Sequence, residues 1–332
     1  MMNFLHASMV VAGFMLLGRV TGFLREIVIA HVGGVSQQSD AMIVLLTFPD
    51  MMISLLLGGG LMAALVPRFR NLPAALGVAL LLRVGTGLLI GFGALALVFA
   101  IWNESVLSII APGWDAHTVE AVAPMLRFTL IALPVTALSG VCVAFLNSQE
   151  RFAYGAVGTL VFNLTLIAVL LSLDWLSPVE AIVVGIIGGA VVRFFVHISA
   201  IRPLWVRPDF SVADGSGALL RDFAASFGFY SILALMPPLL RAFASLVEPG
   251  ALSIFNYAHK LMELPMAIIV AAVTTVLLPR LSGHVKTGEK GEAIDQLSNA
   301  LRAVIVLLSG VFSLAFFSAE LDRANRVFWS QL

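Results

Sequence analysis

Long apolar runs, broken by short polar or Gly/Pro-containing stretches, dominate this chain. A helix needs about 20 mostly apolar residues to cross a hydrocarbon core. Nine runs approach or exceed that length: 7–32, 40–66, 74–102, 119–147, 156–173, 179–201, 221–247, 251–279 and 297–319. The longer ones leave room for tilt or kinks. None alternates as barrel strands do, so each is predicted as a helix with its backbone groups satisfied internally. Met1 to Val11 lacks a basic leader and the first apolar run continues too far for a cleaved signal, so it is predicted to be a retained span.

Composition agrees with this pattern. The 332 residues are 60% hydrophobic and 11% charged, whereas soluble domains carry about 25% charged residues. The bilayer is therefore the solvent. Lys plus Arg equals Asp plus Glu at 19 each, so charge placement matters rather than net charge. The one cysteine, Cys142, lies in an apolar run, which excludes a disulfide framework and a cysteine-based metal site.

Basic residues orient the chain. Arg68 and Arg70 follow span two, Arg151 follows span four, Arg202 and Arg207 follow span six, and Arg280, Lys286 and Lys290 follow span eight. The connections 33–39, 103–118, 174–178 and 248–250 contain no Lys or Arg and carry Glu104, Asp115, Asp174 and Glu248. This asymmetry predicts a cytoplasmic amino terminus and cytoplasmic even-numbered connections. The end fits less well: Glu320-Leu321-Asp322-Arg323-Ala324-Asn325-Arg326 puts two arginines on the outer side. Either the chain stops early or this tail returns to the cytoplasmic side.

Spans one and two resemble spans seven and eight. At a spacing of 216, Arg25 matches Arg241, Gly34 matches Gly250, Asp40 matches Asn256 and Pro49 matches Pro265. After a slip of four, Val66-Pro67-Arg68-Phe69 matches Leu278-Pro279-Arg280-Leu281. An even number of spans separates the units, so they share one orientation. Parallel repeats are a transporter layout with the substrate site between halves.

Charges embedded in spans mark candidate sites, because a central Arg, Lys or Asp costs roughly 2.5–3.5 kcal/mol on insertion scales. They are Arg19, Arg25, Glu26, Asp40, Asp50, Arg127, Arg241, Lys260 and Glu263. Arg83, Arg193 and Arg302 are expected to snorkel to the cytoplasmic interface, and Arg127 is a borderline case on the other side. Six residues of helix leave Arg19 and Arg25 about 120° apart, and Gly18 and Gly22 would permit a bend that brings them together. As structure, Arg25 would pair with Asp40 or Glu26. As a site, two or three guanidiniums would hold a pyrophosphate bidentately. Lys260 and Glu263, three apart, share a helix face and are either a neutral pair or a cation and an ion handle. Pro49, Pro237, Pro238 and Pro265 predict kinks, and Gly58-Gly59-Gly60 and Gly188-Gly189 permit close helix approach. No catalytic constellation, histidine metal pair or phosphate loop is present in the sequence. The basic residues are too dispersed for a nucleic-acid surface.

The run Gly18-Arg19-Val20-Thr21-Gly22-Phe23-Leu24-Arg25-Glu26, with Ser39-Asp40-Ala41, Phe48-Pro49-Asp50 and Leu65-Val66-Pro67-Arg68-Phe69, resembles the amino-terminal signature of the MurJ/MviN family of lipid II flippases. Tyr257-Ala258-His259-Lys260-Leu261-Met262-Glu263-Leu264-Pro265, then Thr275-Val276-Leu277-Leu278-Pro279-Arg280-Leu281-Ser282, resembles that family's eighth span. The resemblance implies an all-α polytopic membrane protein of the multidrug/oligosaccharidyl-lipid/polysaccharide exporter superfamily, with a parallel repeat of two six-helix lobes and alternating access. Residues 1–210 would form the complete first lobe and 211–332 an incomplete second lobe of about three helices. It places Arg19, Arg25 and Asp40 at substrate-binding positions. Lys260 stands where the family usually has a third arginine, and His259 where it often has Asp. Glu26, Glu263 and Arg241 are left as coupling or ion-pair residues. Departures are Ile53-Ser54 and Gly58-Gly59, where the family has a basic pair and Glu-Gly, and the apolar Leu235-Met236-Pro237-Pro238-Leu239-Leu240 in span seven. The family has fourteen spans, and this chain ends near the ninth.

The implied activity is transport without covalent chemistry. An undecaprenyl-pyrophosphate-linked glycan would pass from the cytoplasmic to the outer leaflet of a bacterial inner membrane. No cofactor is implied, and coupling to membrane potential or to a monovalent cation is left open. Implied partners are membrane lipids and cell-wall synthesis proteins, not nucleic acid. The alternatives are export of another lipid-linked oligosaccharide, or a shortened chain that only binds lipid or partners. A membrane glycosyltransferase would need an exposed acidic metal-binding loop, which no connection offers.

Overall fold

The computed structural model describes residues 2–57, 60–173, 175–211, 232, 234–263, 265–266, 291, 294–306, 308–310 and 312–313. All regular elements among them are helices: α1 Met2–Gly33, α2 Gln37–Leu57, α3 Gly60–Asn71, α4 Ala74–Ile101, α5 Asn103–Ile110, α6 Ala116–Thr129, α7 Ala132–Ser148, α8 Ala153–Ser172 and α9 Pro178–Ile201, followed by a 3₁₀ turn at Arg202–Leu204. The chain divides into compact units Met1–Ala258 and His259–Leu332. In the first, residues 234–245 and 251–258 are also helical. In the second, the longest described helical stretch is 294–306. The expected lobe boundary at 210/211 borders residues 212–231, which lie outside the described residues, as do the second Pro-Arg motif at 278–281 and the basic tail.

Helix starts follow local chemistry. Ser177 caps α9 in a capping box: its hydroxyl accepts from the Glu180 N–H at 3.3 Å, the Glu180 carboxylate accepts from the Ser177 N–H at 2.8 Å, and Pro178 opens the first turn. Asp115 caps α6 by accepting from the Thr118 N–H at 3.0 Å. Span four, expected as one helix, is instead two. Pro134 has no N–H to give the Leu130 carbonyl, and the Leu133 N–H takes that acceptor at 3.0 Å in a tighter turn between α6 and α7. The connection 103–118 also holds the short helix α5, anchored by the buried Asn103, whose amide donates to the Ala123 carbonyl at 2.7 Å. Arg127 reaches the same side chain, donating to its carbonyl oxygen at 3.4 Å.

Among the described residues, four helical stretches are long and apolar enough to cross a membrane: Ala74–Ile101, Ala116–Ser148, Ala153–Ser172 and Pro178–Leu204. α7 is the central one, packed by α2, α3, α4 and α9 and buried along most of its length. α4 lies at the periphery, with Ile90, Leu97 and Ile101 exposed as a lipid-facing stripe. α8 packs between α1 and α9. Close approach there depends on glycine: a Cβ on Gly189 would lie 2.9 Å from the Phe162 ring and 3.0 Å from its carbonyl oxygen. Gly18 and Gly22, expected to bend α1, lie within one continuous helix and face Ala156, Thr159 and Asn163 of α8. Their absent side chains allow packing, not a hinge.

The connections sort into two ends. Arg151 donates to the Ala200 carbonyl at 3.1 Å, the Asp209 N–H to the Ala75 carbonyl at 3.1 Å, and Arg70 lies 4.0 Å from Glu150, which joins the Arg-bearing connections. At the other end Gln37 bonds Thr118, and the Gly113 N–H donates to Ser245 at 3.1 Å. That sorting matches the division by charge read from the sequence.

Candidate functional site

The embedded charges lie on α1, α2, α6 and the helical segments that follow residue 232. Arg25 is 4% exposed and uses its guanidinium fully. Its Nη2 donates to Glu26 Oε1 at 2.7 Å and to Asp50 Oδ2 at 2.9 Å, and its Nη1 to Asp50 Oδ1 at 3.1 Å and Asn163 Oδ1 at 3.3 Å. Nε adds a bond to Glu26 at 3.2 Å. The two parallel bonds to Asp50 are the bidentate arrangement a guanidinium also makes with phosphate. Asn163 in turn donates to the Gly18 carbonyl at 3.4 Å, which ties the cluster to the α1–α8 contact.

Matched positions of the repeat make bonds across to the other copy. Asn256, the counterpart of Asp40, donates to Glu26 Oε2 at 2.8 Å. Asp40 accepts from the backbone N–H groups of Gly250 at 2.8 Å and Ser253 at 2.7 Å. Arg241, the counterpart of Arg25, is buried and donates to Thr47 at 3.2 Å. Thr47 and Asp50 are three apart on α2 and so lie on neighbouring turns of one face. Both repeat arginines therefore bond α2. Gly34 and Gly250 share the left-handed backbone region, with φ of 64° and 91°.

The structure brings some predicted site residues together and separates others. Arg25 and Glu26 join one network, with Asp50, Asn163 and Asn256 completing it, while Arg241 bonds α2 at Thr47, three residues from Asp50. Arg19 is exposed. Asp40, expected as a partner of Arg25, instead holds the backbone at the start of the helix that begins at Ala251. Lys260 and Glu263 form their own ion pair at 2.7 Å in the second unit. Among the described residues no group of His, Cys, Asp and Glu could hold a metal.

Arg193 corrects the sequence reading most. Expected to snorkel, it is 1% exposed in α9, with its guanidinium 5.0 Å above the Phe162 ring and Nη2 donating to Thr136 Oγ1 at 2.7 Å. Arg83 does reach outward, donating to the Phe210 carbonyl at 2.9 Å. Depth along a helix is readable from sequence, but which face the residue occupies is not. Asn163 was missed for a similar reason, although a polar amide between Phe162 and Leu164 was a visible signal.

Comparison with known proteins assigns the scaffold. A family model described as lipid II flippase MurJ matches residues 29–323. A relative from Burkholderia cenocepacia, named lipid II flippase MurJ, is 28% identical over 341 residues, covering 96% of this chain and 65% of its own. A probable lipid II flippase MurJ from Aquifex aeolicus is 24% identical and covers 97% of this chain and 64% of its own. The chain thus spans less than two thirds of the length of these relatives. Among solved structures, a lipid II flippase MurJ in an inward closed conformation superposes with a TM-score of 0.75 at 20% identity, over 90% of this chain and 63% of that one. An inward-facing MATE family transporter of the MOP superfamily gives 0.66 at 15% identity, over 91% of this chain and 70% of that one. These likenesses establish an all-helical transporter fold in a multi-pass bacterial membrane protein. With its matched region running through nearly the whole sequence, the chain belongs to the MurJ family.

Proposed function

We propose that this chain takes part in flipping a lipid-linked peptidoglycan precursor, lipid II, from the cytoplasmic to the outer leaflet of the inner membrane, with its amino terminus in the cytoplasm. The observation that carries the proposal is Arg25, a guanidinium buried among the helices and already engaged in bidentate carboxylate bonds. A diphosphate presents the same paired oxygens with more charge. In the conformation described here the cluster of Arg25, Glu26 and Asp50 carries one cation against two carboxylates. An incoming headgroup must therefore displace one of them. Asp50 is the exchangeable partner, because its side chain is 25% exposed, while Glu26 is 4% exposed and also held by Asn256.

The headgroup would then occupy the Asp50 position on Arg25 while the polyprenyl tail remains in lipid, and rearrangement of the helices would expose it on the other side. Arg19 remains a candidate contact, and drive by membrane potential or a monovalent cation is compatible with the scheme. The test is complementation of a bacterium depleted of its essential lipid II flippase. The wild-type chain should restore growth and Arg25→Ala should not. Wild-type protein that inserts in the membrane yet fails to rescue overturns the proposal and leaves lipid binding without transport.

A further inference from the structure

Arg25 and Arg193 differ sharply in how their hydrogen bonds are met. Arg25 bonds two carboxylates and an amide. Arg193 is more deeply buried, yet its Nε and Nη1 have no hydrogen-bond partner among the described residues, and Nη2 has only Thr136. Guanidinium does not deprotonate in proteins. Arg193 is therefore a full charge in a low-dielectric interior, held by one neutral hydroxyl and a ring face, where an unpaired ion carries a penalty of several kcal/mol. An arrangement of that kind is tolerated when a counter-charge is within reach.

The fold supplies one. Phe162, beneath Arg193, and Asn163, which bonds Arg25, are consecutive residues of α8, so both guanidiniums lie against the same turn. α2, which carries Asp50, packs against α9, which carries Arg193. Arg25 bonds Glu26 through Nε and Nη2, contacts separate from its bonds to Asp50.

We infer that Arg193 is a positioning residue that receives the Asp50 carboxylate when a pyrophosphate headgroup takes its place on Arg25. Arg25 exchanges one bidentate partner for another, and Arg193 gains the partner its open N–H groups lack. With Arg193 as its new partner, Asp50 leaves Arg25 without becoming a lone buried carboxylate. The inference rests on the flippase reading above, since it requires an anionic headgroup at Arg25.

The test is a double-mutant cycle on the full chain in nanodiscs, with farnesyl pyrophosphate as the probe and affinity read by competition. Arg193→Gln should weaken binding about tenfold, the equivalent of one decade in Kd, because displaced Asp50 has nowhere to go. Asp50→Asn should bind at least as tightly as wild type. The double variant Asp50→Asn with Arg193→Gln should return to within about threefold of wild type, well inside that decade. Arg193→Met, which removes the cation without leaving polar atoms, runs the same cycle if the glutamine variant is not monodisperse. Equal loss in the single and double variants, or no loss on replacing Arg193, overturns the exchange while leaving the binding site intact. Absence of wild-type binding sinks the flippase reading, and the exchange with it.

Discussion

Replacing Asp40 by alanine should destabilise the protein more than any other single carboxylate change at the end of the bundle where Gln37 meets Thr118. The Asp40 side chain is 1% exposed and accepts two backbone N–H groups, from Gly250 at 2.8 Å and Ser253 at 2.7 Å. These are the cap and third-residue donors of the helix that begins at Ala251, groups with no partner inside their own helix. A hydrogen bond to a charged acceptor contributes about 1.5–3 kcal/mol, and a buried donor stripped of its partner costs about 1–3 kcal/mol. Two such bonds put the loss at about 3–5 kcal/mol, with up to about 1 kcal/mol more from losing an anion at a helix amino terminus. Asp40→Asn keeps one acceptor oxygen but turns an NH₂ toward the other N–H, so it should lose about half as much. Intrinsic tryptophan fluorescence during thermal unfolding in detergent micelles reads the change. At about 2–4 °C per kcal/mol for a large domain, Asp40→Ala should unfold on the order of 10 °C lower. An unchanged midpoint combined with lost pyrophosphate binding would refute this reasoning and return Asp40 to the substrate-contacting role implied by the family resemblance.

Other outcomes follow from single sites. Gly189→Ala places a Cβ 2.9 Å from the Phe162 ring and 3.0 Å from a backbone oxygen that cannot rotate away; overpacking of this kind costs about 1–3 kcal/mol, read as a lower unfolding midpoint. Asp115 caps α6 outside the membrane, and its bond from Thr118 holds its carboxyl below the ordinary value of 3.8. A depressed carboxyl stabilises the fold above the unfolded value and stops doing so as pH falls through the folded one. The stability gap between wild type and Asp115→Ala should thus be constant at neutral pH and close only below about pH 4 in pH-stepped unfolding. Asn163→Leu removes the amide shared by Arg25 and the Gly18 carbonyl, so it should lower stability by roughly 1 kcal/mol per bond lost while leaving membrane insertion unchanged in a fractionation assay.

Much of the architecture was legible from residue order. The apolar runs at 74–102, 156–173 and 179–201 coincide closely with α4, α8 and α9, because span length is set by the thickness of the hydrocarbon and every backbone group must bond within its own segment. Caps such as Ser177 with Glu180 are local for the same reason. Pro134 was equally visible, and its effect on the Leu130 carbonyl is a matter of one missing donor. The repeat was legible at Gly34 and Gly250, where backbone conformation selects the residue type.

What residue order determined, then, is which stretches are helical and where along them charged residues fall. Tertiary structure alone decided who meets whom: Asp50 rather than Asp40 on Arg25, Asp40 on a backbone 210 residues away, and Arg193 turned inward over Phe162. The physical reason is that helix formation and insertion depend on near neighbours and depth. A side chain's azimuth acquires meaning only once a second helix, distant in sequence, packs against that face.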